Sequence, residues 1–239
     1  MLCAEPAVAA MSRTPDAPRL TIGGAFADIF AGHPNVRGLW FPDAETQPEG
    51  FDRVLTVPAK DASASAMQRI MQAAKHLAVT PSRYRPQMIL TGLDALRAGR
   101  LGLERLGRPI ALCLSEAACT APTLRQRWQQ VCRLLSQQPN TAIVLLAGLE
   151  QTLSVQKDLA GRLTAREIAA ALSRCAGWLG DDPICAALAG AMDVPGVFVS
   201  DSPALDEAFA MCRCGAETDA QDLLAELEKQ LSTAALPDA

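Results

Sequence analysis

The amino-acid sequence predicts an α/β protein built on parallel β-sheet. Short apolar runs rich in β-branched residues recur along the 239-residue chain, and segments with helical periodicity separate them. Hydrophobic residues make up 49% of the chain and charged residues 20%, so the chain can bury a full core. Strands that alternate with helices in this way imply a layered fold in which helices cover a parallel sheet.

The individual elements follow from these runs in chain order. Predicted strands occupy residues 19–22, 53–57, 87–90, 109–114, 142–146 and 196–200. Predicted helices occupy residues 25–31, 62–77, 94–106, 124–137, 165–175, 184–192 and 220–231. The last helix follows Thr218 and Asp219, which can cap it. The alternation begins again after Leu106, so we expect a first domain over residues 1–106 and a second over 107–239.

Charge and hydropathy exclude several classes of partner. Lys and Arg number 22 against 26 Asp and Glu, a net charge of -4, which gives no long-range attraction for nucleic acid or anionic lipid. No apolar run approaches the roughly 20 residues that span a bilayer. The first ten residues lack a basic segment, and Glu5 and Pro6 interrupt their apolar stretch, so we expect no signal peptide and a cytoplasmic location.

The eight cysteines favour reduced thiols over a disulfide framework or a metal centre. Most of them lie inside apolar runs of a large chain, which predicts buried thiols. Only Cys212 and Cys214 approach the spacing of metal ligands, and the chain has just two histidines, His33 and His76. We therefore expect no metal and no cofactor.

Two loops in the second half can receive an anionic ligand. Residues 159–164 and the turn from Gly180 to Pro183 each lead directly into a predicted helix, whose first N–H groups lack partners within the helix. In open α/β sheets such loops gather at the carboxyl ends of the strands, where ligands bind. A loop of this kind is common in α/β proteins, so the pattern alone is weak.

The order of residues resembles the heptosyltransferase family, glycosyltransferase family 9. The run DLAGRLTAREIAAALSRCAGWLGDD at 158–182 is similar to the family's glycine, Thr-initiated helix with an early Glu, and acidic turn. Four further runs resemble other elements of the family in the same order, at residues 10–41, 50–58, 85–91 and 187–203. The resemblance implies two Rossmann-like domains in a GT-B arrangement, with an acceptor-side first domain that lacks its initial strand and a second domain that binds a nucleotide sugar.

The same comparison shows departures from the family pattern. Family members carry a general-base Asp in a first Gly-Asp loop, and no residue of 1–10 matches it, so we assign no catalytic residue. The family turn Asp-Thr/Ser-Gly-Pro-x-His corresponds to residues 182–187, where Ile184 and Ala187 stand at the Gly and His positions. A family Lys that neutralises diphosphate charge corresponds to Gln126, between Arg125 and Arg127. Six residues form the predicted nucleotide-sugar site: Ser115, Arg125, Arg127, Gly148, Asp181 and Asp182.

Each of these residues also has a purely structural interpretation. Asp181 and Asp182 precede a helix and can simply cap it. The arginines can form a solvated helix face, and Trp128 can be a core residue. Ser115 can be a plain loop cap.

Three functional hypotheses remain open. The first is a degenerate heptosyltransferase-type protein that retains a nucleotide sugar as ligand and has weak or no activity. The alternative is a non-catalytic interaction or assembly subunit, because an incomplete sheet would need a protein partner or a homo-oligomer to cover it. The third is an enzyme encoded on two chains, or a reading frame that starts upstream of Met1.

Overall fold

The structure is a computed structural model that describes residues 5–11, 20–23, 27–40, 86–149, 153–201 and 212–234. The chain divides into two compact units, Met1–Thr91 and Gly92–Ala239. Residues 92–106 thus lie with the second unit, whereas the sequence placed them in the first domain. The division into an acceptor-side and a nucleotide-sugar-side domain stays a prediction.

The described part of the first unit contains two helical segments and one parallel strand pair. Helix α1 spans Glu5–Met11, strand β1 spans Leu20–Gly23, a 3₁₀ helix spans Ala27–Phe30, and strand β2 spans Val36–Trp40. Strands β1 and β2 pair in parallel. The 3₁₀ helix buries Ala27, Ile29 and Phe30, so these short elements share a small apolar core.

The second unit is a six-stranded, fully parallel sheet covered by helices. Its strands are β3 (Arg108–Cys113), β4 (Thr141–Ala147), β5 (Lys157–Asp158), β6 (Gly177–Gly180), β7 (Gly196–Val199) and β8 (Cys212–Cys214). Its α-helices are α2 (Gly92–Arg100), α3 (Glu116–Thr120), α4 (Pro122–Ser136), α5 (Ala165–Leu172), α6 (Pro183–Ala191) and α7 (Ala220–Ala234), and a 3₁₀ helix spans Leu103–Leu106. The strand order is β5-β4-β3-β6-β7-β8, which confirms the α/β class with parallel sheet.

The centre of this sheet forms the core of the unit. Strand β3 pairs with β4 on one side and β6 on the other, and residues 110–113 are almost completely buried. Helices α4 and α7 pack on each other and contribute Trp128, Val131, Leu223 and Leu227, all fully buried. Burial of these side chains contributes favourable free energy to the folding of the unit.

The sequence predictions and the structure agree for the long apolar elements. Strands predicted at 19–22, 109–114, 142–146 and 196–200 and helices at 124–137, 165–175, 184–192 and 220–231 are confirmed within two or three residues. The predicted helix 94–106 is two segments, because Gly102 adopts a φ of 64° between them. The predicted helix 25–31 overlaps the 3₁₀ helix Ala27–Phe30. The strand predicted at 53–57 and the helix at 62–77 lie outside the described residues.

The prediction of a strand at 87–90 is wrong. Residues 86–91 have no regular secondary structure, although Met88 is buried between exposed neighbours. Buried and exposed residues alternate along any extended segment, so the pattern in the sequence could not distinguish a β-strand from an extended loop. Within the described residues, the structure also adds helices α1 and α3 and strands β2, β5, β6 and β8, which the sequence did not predict.

Candidate functional site

The candidate site lies at the carboxyl ends of three adjacent strands. Strands β4, β3 and β6 are neighbours, about 4.8 Å apart, and they end at Ala147, Cys113 and Gly180. Gly148, Ser115 and Asp181 follow these ends directly or within two residues. The parallel topology therefore brings three of the predicted site residues to one edge of the sheet.

Ser115 and Asp181 join the loops after β3 and β6. The Ser115 backbone N–H donates to Asp181 Oδ1 at 2.8 Å, and Ser115 Oγ donates to Asp181 Oδ2 at 2.7 Å. The backbone N–H groups of Asp181 and Asp182 both donate to the Cys113 carbonyl, at 3.0 and 3.2 Å. Four hydrogen bonds thus hold the two loops against each other, and both oxygens of the Asp181 carboxylate are occupied within the protein.

Asp182 and Ser115 also cap the helices that begin at this edge. Asp182 Oδ1 accepts from the Cys185 N–H at 2.7 Å at the start of α6, and Ser115 Oγ accepts from the Ala118 N–H at 3.2 Å at the start of α3. Capping of this kind stabilises a helix by about 1 kcal/mol without any ligand. Asp182 therefore caps α6, a role that the sequence allowed, and Ser115 caps α3, a helix that the sequence did not predict. Asp181 joins the two loops.

Gly148 has a conformational role at the end of β4. Its φ of 135° is one that L-residues with a side chain rarely adopt, and a Cβ there would lie 3.2 Å from Cys119 Sγ. The next residue, Leu149, donates its N–H to the same sulfur at 3.4 Å. Gly148 therefore lets the chain turn closely past α3.

The two predicted arginines on α4 differ in their surroundings. The Arg127 Nη1 group donates to the Ala216 carbonyl, and the guanidinium carbon lies 5.4 Å from the centre of the Trp128 ring. Trp128 is fully buried, which makes it a core residue. Arg125 is exposed in the first turn of α4, and no described carboxylate or carbonyl pairs with its guanidinium. Of these two arginines, Arg127 is thus paired within the described residues and Arg125 is exposed.

The thiol at the start of α6 is buried. Cys185 lies in the first turn of the helix, a position that usually favours a thiolate. A hydrogen bond to Cys113, together with burial, raises the pKa of the Cys185 thiol far above its ordinary value. The residues that the structure describes contain no group of three or more His, Cys, Asp or Glu that could hold a metal ion.

Comparison with solved structures decides which fold this arrangement belongs to. E. coli ADP-heptose lipopolysaccharide heptosyltransferase II is similar over 99% of this chain and 96% of its own, with a TM-score of 0.71 and 13% identity. A glycosyltransferase family 9 protein of Veillonella parvula is similar over 97% and 94%, with a TM-score of 0.70 and 11% identity. E. coli heptosyltransferase WaaC with ADP is similar over 98% and 95%, with a TM-score of 0.61 and 13% identity.

The chain has a heptosyltransferase-like fold. At 11–13% identity the likeness establishes the fold alone. No family model and no curated protein matches the sequence. No helix among the described residues is long and apolar enough to cross a membrane.

On this heptosyltransferase-like fold the site edge has an acidic character. Asp181, Asp182 and the exposed Glu116 lie where β3 and β6 end, and Arg125 is on the helix after α3. Sequence reasoning missed one feature of the edge: Ile184, in the first turn of α6, is 49% exposed. A large apolar residue in the first turn of a helix with a polar cap was the available signal.

Proposed function

We propose that the chain is a degenerate heptosyltransferase-type protein that binds a nucleotide sugar weakly at the carboxyl edge of the second sheet and has little or no transferase activity. The observation that carries the proposal is the likeness of fold over 99% of the chain, with the exposed Arg125 on the helix that follows the Ser115 loop. The proposal includes a GT-B arrangement of two domains. It also includes a cytoplasmic location, and the seven free thiols among the described residues favour that location.

The chemistry of the edge supports a diphosphate as the recognised group. The first N–H groups of α4 have no acceptor within their own helix, and Arg125 adds a full positive charge beside them. Heptosyltransferase WaaC, which shares the fold, has been solved with ADP and with ADP-2-deoxy-2-fluoro heptose. ADP is therefore the first probe for this chain.

Three features make the proposed binding weak. The carboxylates of Asp181 and Asp182 repel a diphosphate that approaches β6. Arg127, which could replace the family lysine, donates to the Ala216 carbonyl instead. Ile184 places a branched side chain where the family sequences that this chain resembles have glycine, and it limits the approach of a phosphate to the backbone of α6.

Two substitutions test this assignment in opposite directions. Isothermal titration with ADP should show that Arg125→Ala lowers affinity by about tenfold, since one charge-assisted contact contributes about 1.4 kcal/mol or more. Ile184→Ala should raise affinity by a few-fold, because it removes the obstruction. Arg133→Ala is the matched control, because Arg133 is exposed at the other end of the same helix and should leave the affinity unchanged.

The proposal fails if neither ADP, UDP nor GDP changes the melting temperature at millimolar concentration. It also fails if Arg133→Ala weakens ADP binding as much as Arg125→Ala does. Weak activity is tested separately with ADP-heptose and a saccharide acceptor: turnover comparable with that of a heptosyltransferase would contradict the degenerate assignment.

A second candidate function, a non-catalytic interaction subunit, is favoured by one observation. Leu93 and Leu96 lie three residues apart on α2, and their side chains are 57% and 68% exposed. Two adjacent exposed leucines on one helix face are typical of a protein contact. Light scattering of the wild type and of Leu96→Glu tests this candidate: it predicts an oligomer that the variant dissociates, and a wild-type monomer at all concentrations contradicts self-association.

A further inference from the structure

Two cysteine side chains meet on the last strand of the sheet in the described part of the chain. Cys212 and Cys214 are two residues apart on β8, so their side chains lie on the same face of the strand. Both are half-buried, whereas Arg213 between them is exposed.

A carboxylate of α7 contacts this pair. Cys212 Sγ donates to Glu226 Oε1 at 3.2 Å. Glu226 accepts further hydrogen bonds from Gln230 Nε2 at 2.8 Å and from Lys229 Nζ at 3.2 Å, which hold it ionised. The thiol proton of Cys212 therefore already lies beside a carboxylate oxygen.

None of the other described cysteines combines partial solvent exposure with a hydrogen bond to a carboxylate. Cys113, Cys119, Cys132 and Cys185 are at most 4% exposed. Cys175 is half-buried, and its Sγ donates to the Ala171 carbonyl of its own helix, with no carboxylate in contact.

We propose that Cys212 and Cys214 form a redox-active dithiol that peroxide oxidises to an intrachain disulfide. The Cys214 sulfur attacks one peroxide oxygen and the O–O bond breaks. Cys214 becomes a sulfenic acid, and its thiol proton passes to the departing hydroxide to form water. The Cys212 sulfur then attacks the Cys214 sulfur, and its proton passes to Glu226. The S–O bond breaks, and the departing hydroxide takes that proton to form a second water. One peroxide is reduced to two waters and two thiols are oxidised to one disulfide.

The geometry of the strand gives the disulfide a structural consequence. Residues two apart on a strand have Cα atoms about 6.4–6.8 Å apart, at the upper end of the range that a disulfide spans. Closure must shorten β8. The strand has three residues and pairs with β7 on one side, and its Cys214 carbonyl accepts from the Ser200 N–H at 2.9 Å. Oxidation should weaken this pairing and speed hydrogen exchange of the β7 and β8 amides.

Digestion with trypsin gives a direct test, because Arg213 lies between the two cysteines. Cleavage after Arg213 separates peptide 175–213 from peptide 214–229, and only a disulfide keeps them together. The full-length protein is treated with hydrogen peroxide, its remaining thiols are alkylated, and the digest is analysed by mass spectrometry. We expect the linked pair as the main product, and its loss after dithiothreitol.

Four variants separate this dithiol from other pairings. Cys212→Ser should abolish the linked pair, and Cys175→Ser, the matched control, should retain it. Glu226→Gln should slow closure by about tenfold or more, because it removes the proton acceptor, whereas Asp222→Asn on the same helix should not. The proposal is overturned if both thiols stay alkylatable, if Cys214 ends as a sulfinic acid without linkage, or if the link survives in Cys212→Ser.

Discussion

Replacing Asp181 with alanine tests whether the loops after β3 and β6 are held by one carboxylate. The substitution removes the acceptors of the Ser115 N–H at 2.8 Å and of Ser115 Oγ at 2.7 Å. A hydrogen bond to a charged group contributes about 1.5–3 kcal/mol when buried, and this pair is only partly buried. We therefore expect Asp181→Ala to lower the free energy of unfolding by about 2–4 kcal/mol, with a fall in Tm of about 5–12 °C.

Chemical denaturation and calorimetry measure this effect, and two variants calibrate it. Asp182→Ala removes one cap bond and should cost about 1 kcal/mol. Ser115→Ala removes the hydroxyl and keeps the backbone N–H, so the double variant with Asp181→Ala should show coupling of about 1 kcal/mol. A loss below about 0.5 kcal/mol in Asp181→Ala, or no coupling to Ser115→Ala, would show that the loops are held by other contacts.

Three further predictions concern the frame around the site. Gly180→Ala should lower the free energy of unfolding of the second unit, measured in urea, by about 3 kcal/mol or more, because the added Cβ would overlap the Cys113 carbonyl. Gly99→Ala is the control: a Cβ at this position of α2 meets open space, so the variant should not lose stability. Asp94→Ala removes the bidentate partner of the buried Arg166 and should lower the free energy of unfolding by about 3–5 kcal/mol. A loss of stability smaller than that caused by breaking an exposed ion pair would contradict the role given to burial. Hydrogen bonds from Gln230, from Cys212 and from Lys229, in decreasing order of effect, lower the pKa of Glu226 below its ordinary 4.5. The ionised Glu226 therefore stabilises the folded protein above pH 4.5, and this stabilisation is lost as the pH falls through the pKa of Glu226 in the folded state. Glu226→Gln should flatten the decline of Tm below pH 4.5, and an unchanged slope would contradict this.

The sequence predicted the elements whose pattern is both long and apolar. Strand β4 and helix α4 could be located because seven and fifteen residues carry a regular signal. Strand β6 could not be located, because it begins and ends with glycine, Gly177 and Gly180, and glycine is uncommon in strands. Here they are required, because a side chain at Gly180 has no room beside β3. That requirement comes from the neighbouring strand and is invisible in the local sequence.

The candidate site was predictable in position and only partly in role. The loops after β3, β4 and β6 converge because the strands are parallel neighbours, as the alternation of elements implied. The hydrogen bond between Ser115 and Asp181 joins residues 66 positions apart, and the contact of Arg127 with Ala216 spans 89. Pairings at such separations depend on the complete sheet order, so local motifs could not assign these roles.

The proposed nucleotide site is tested most directly by a crystal structure of the protein soaked with ADP. We expect diphosphate density within hydrogen-bonding distance of the Arg125 guanidinium and the first turn of α4, with the Ser115–Asp181 link intact. Density for ADP elsewhere on the chain, or none at concentrations that saturate binding in solution, would contradict it.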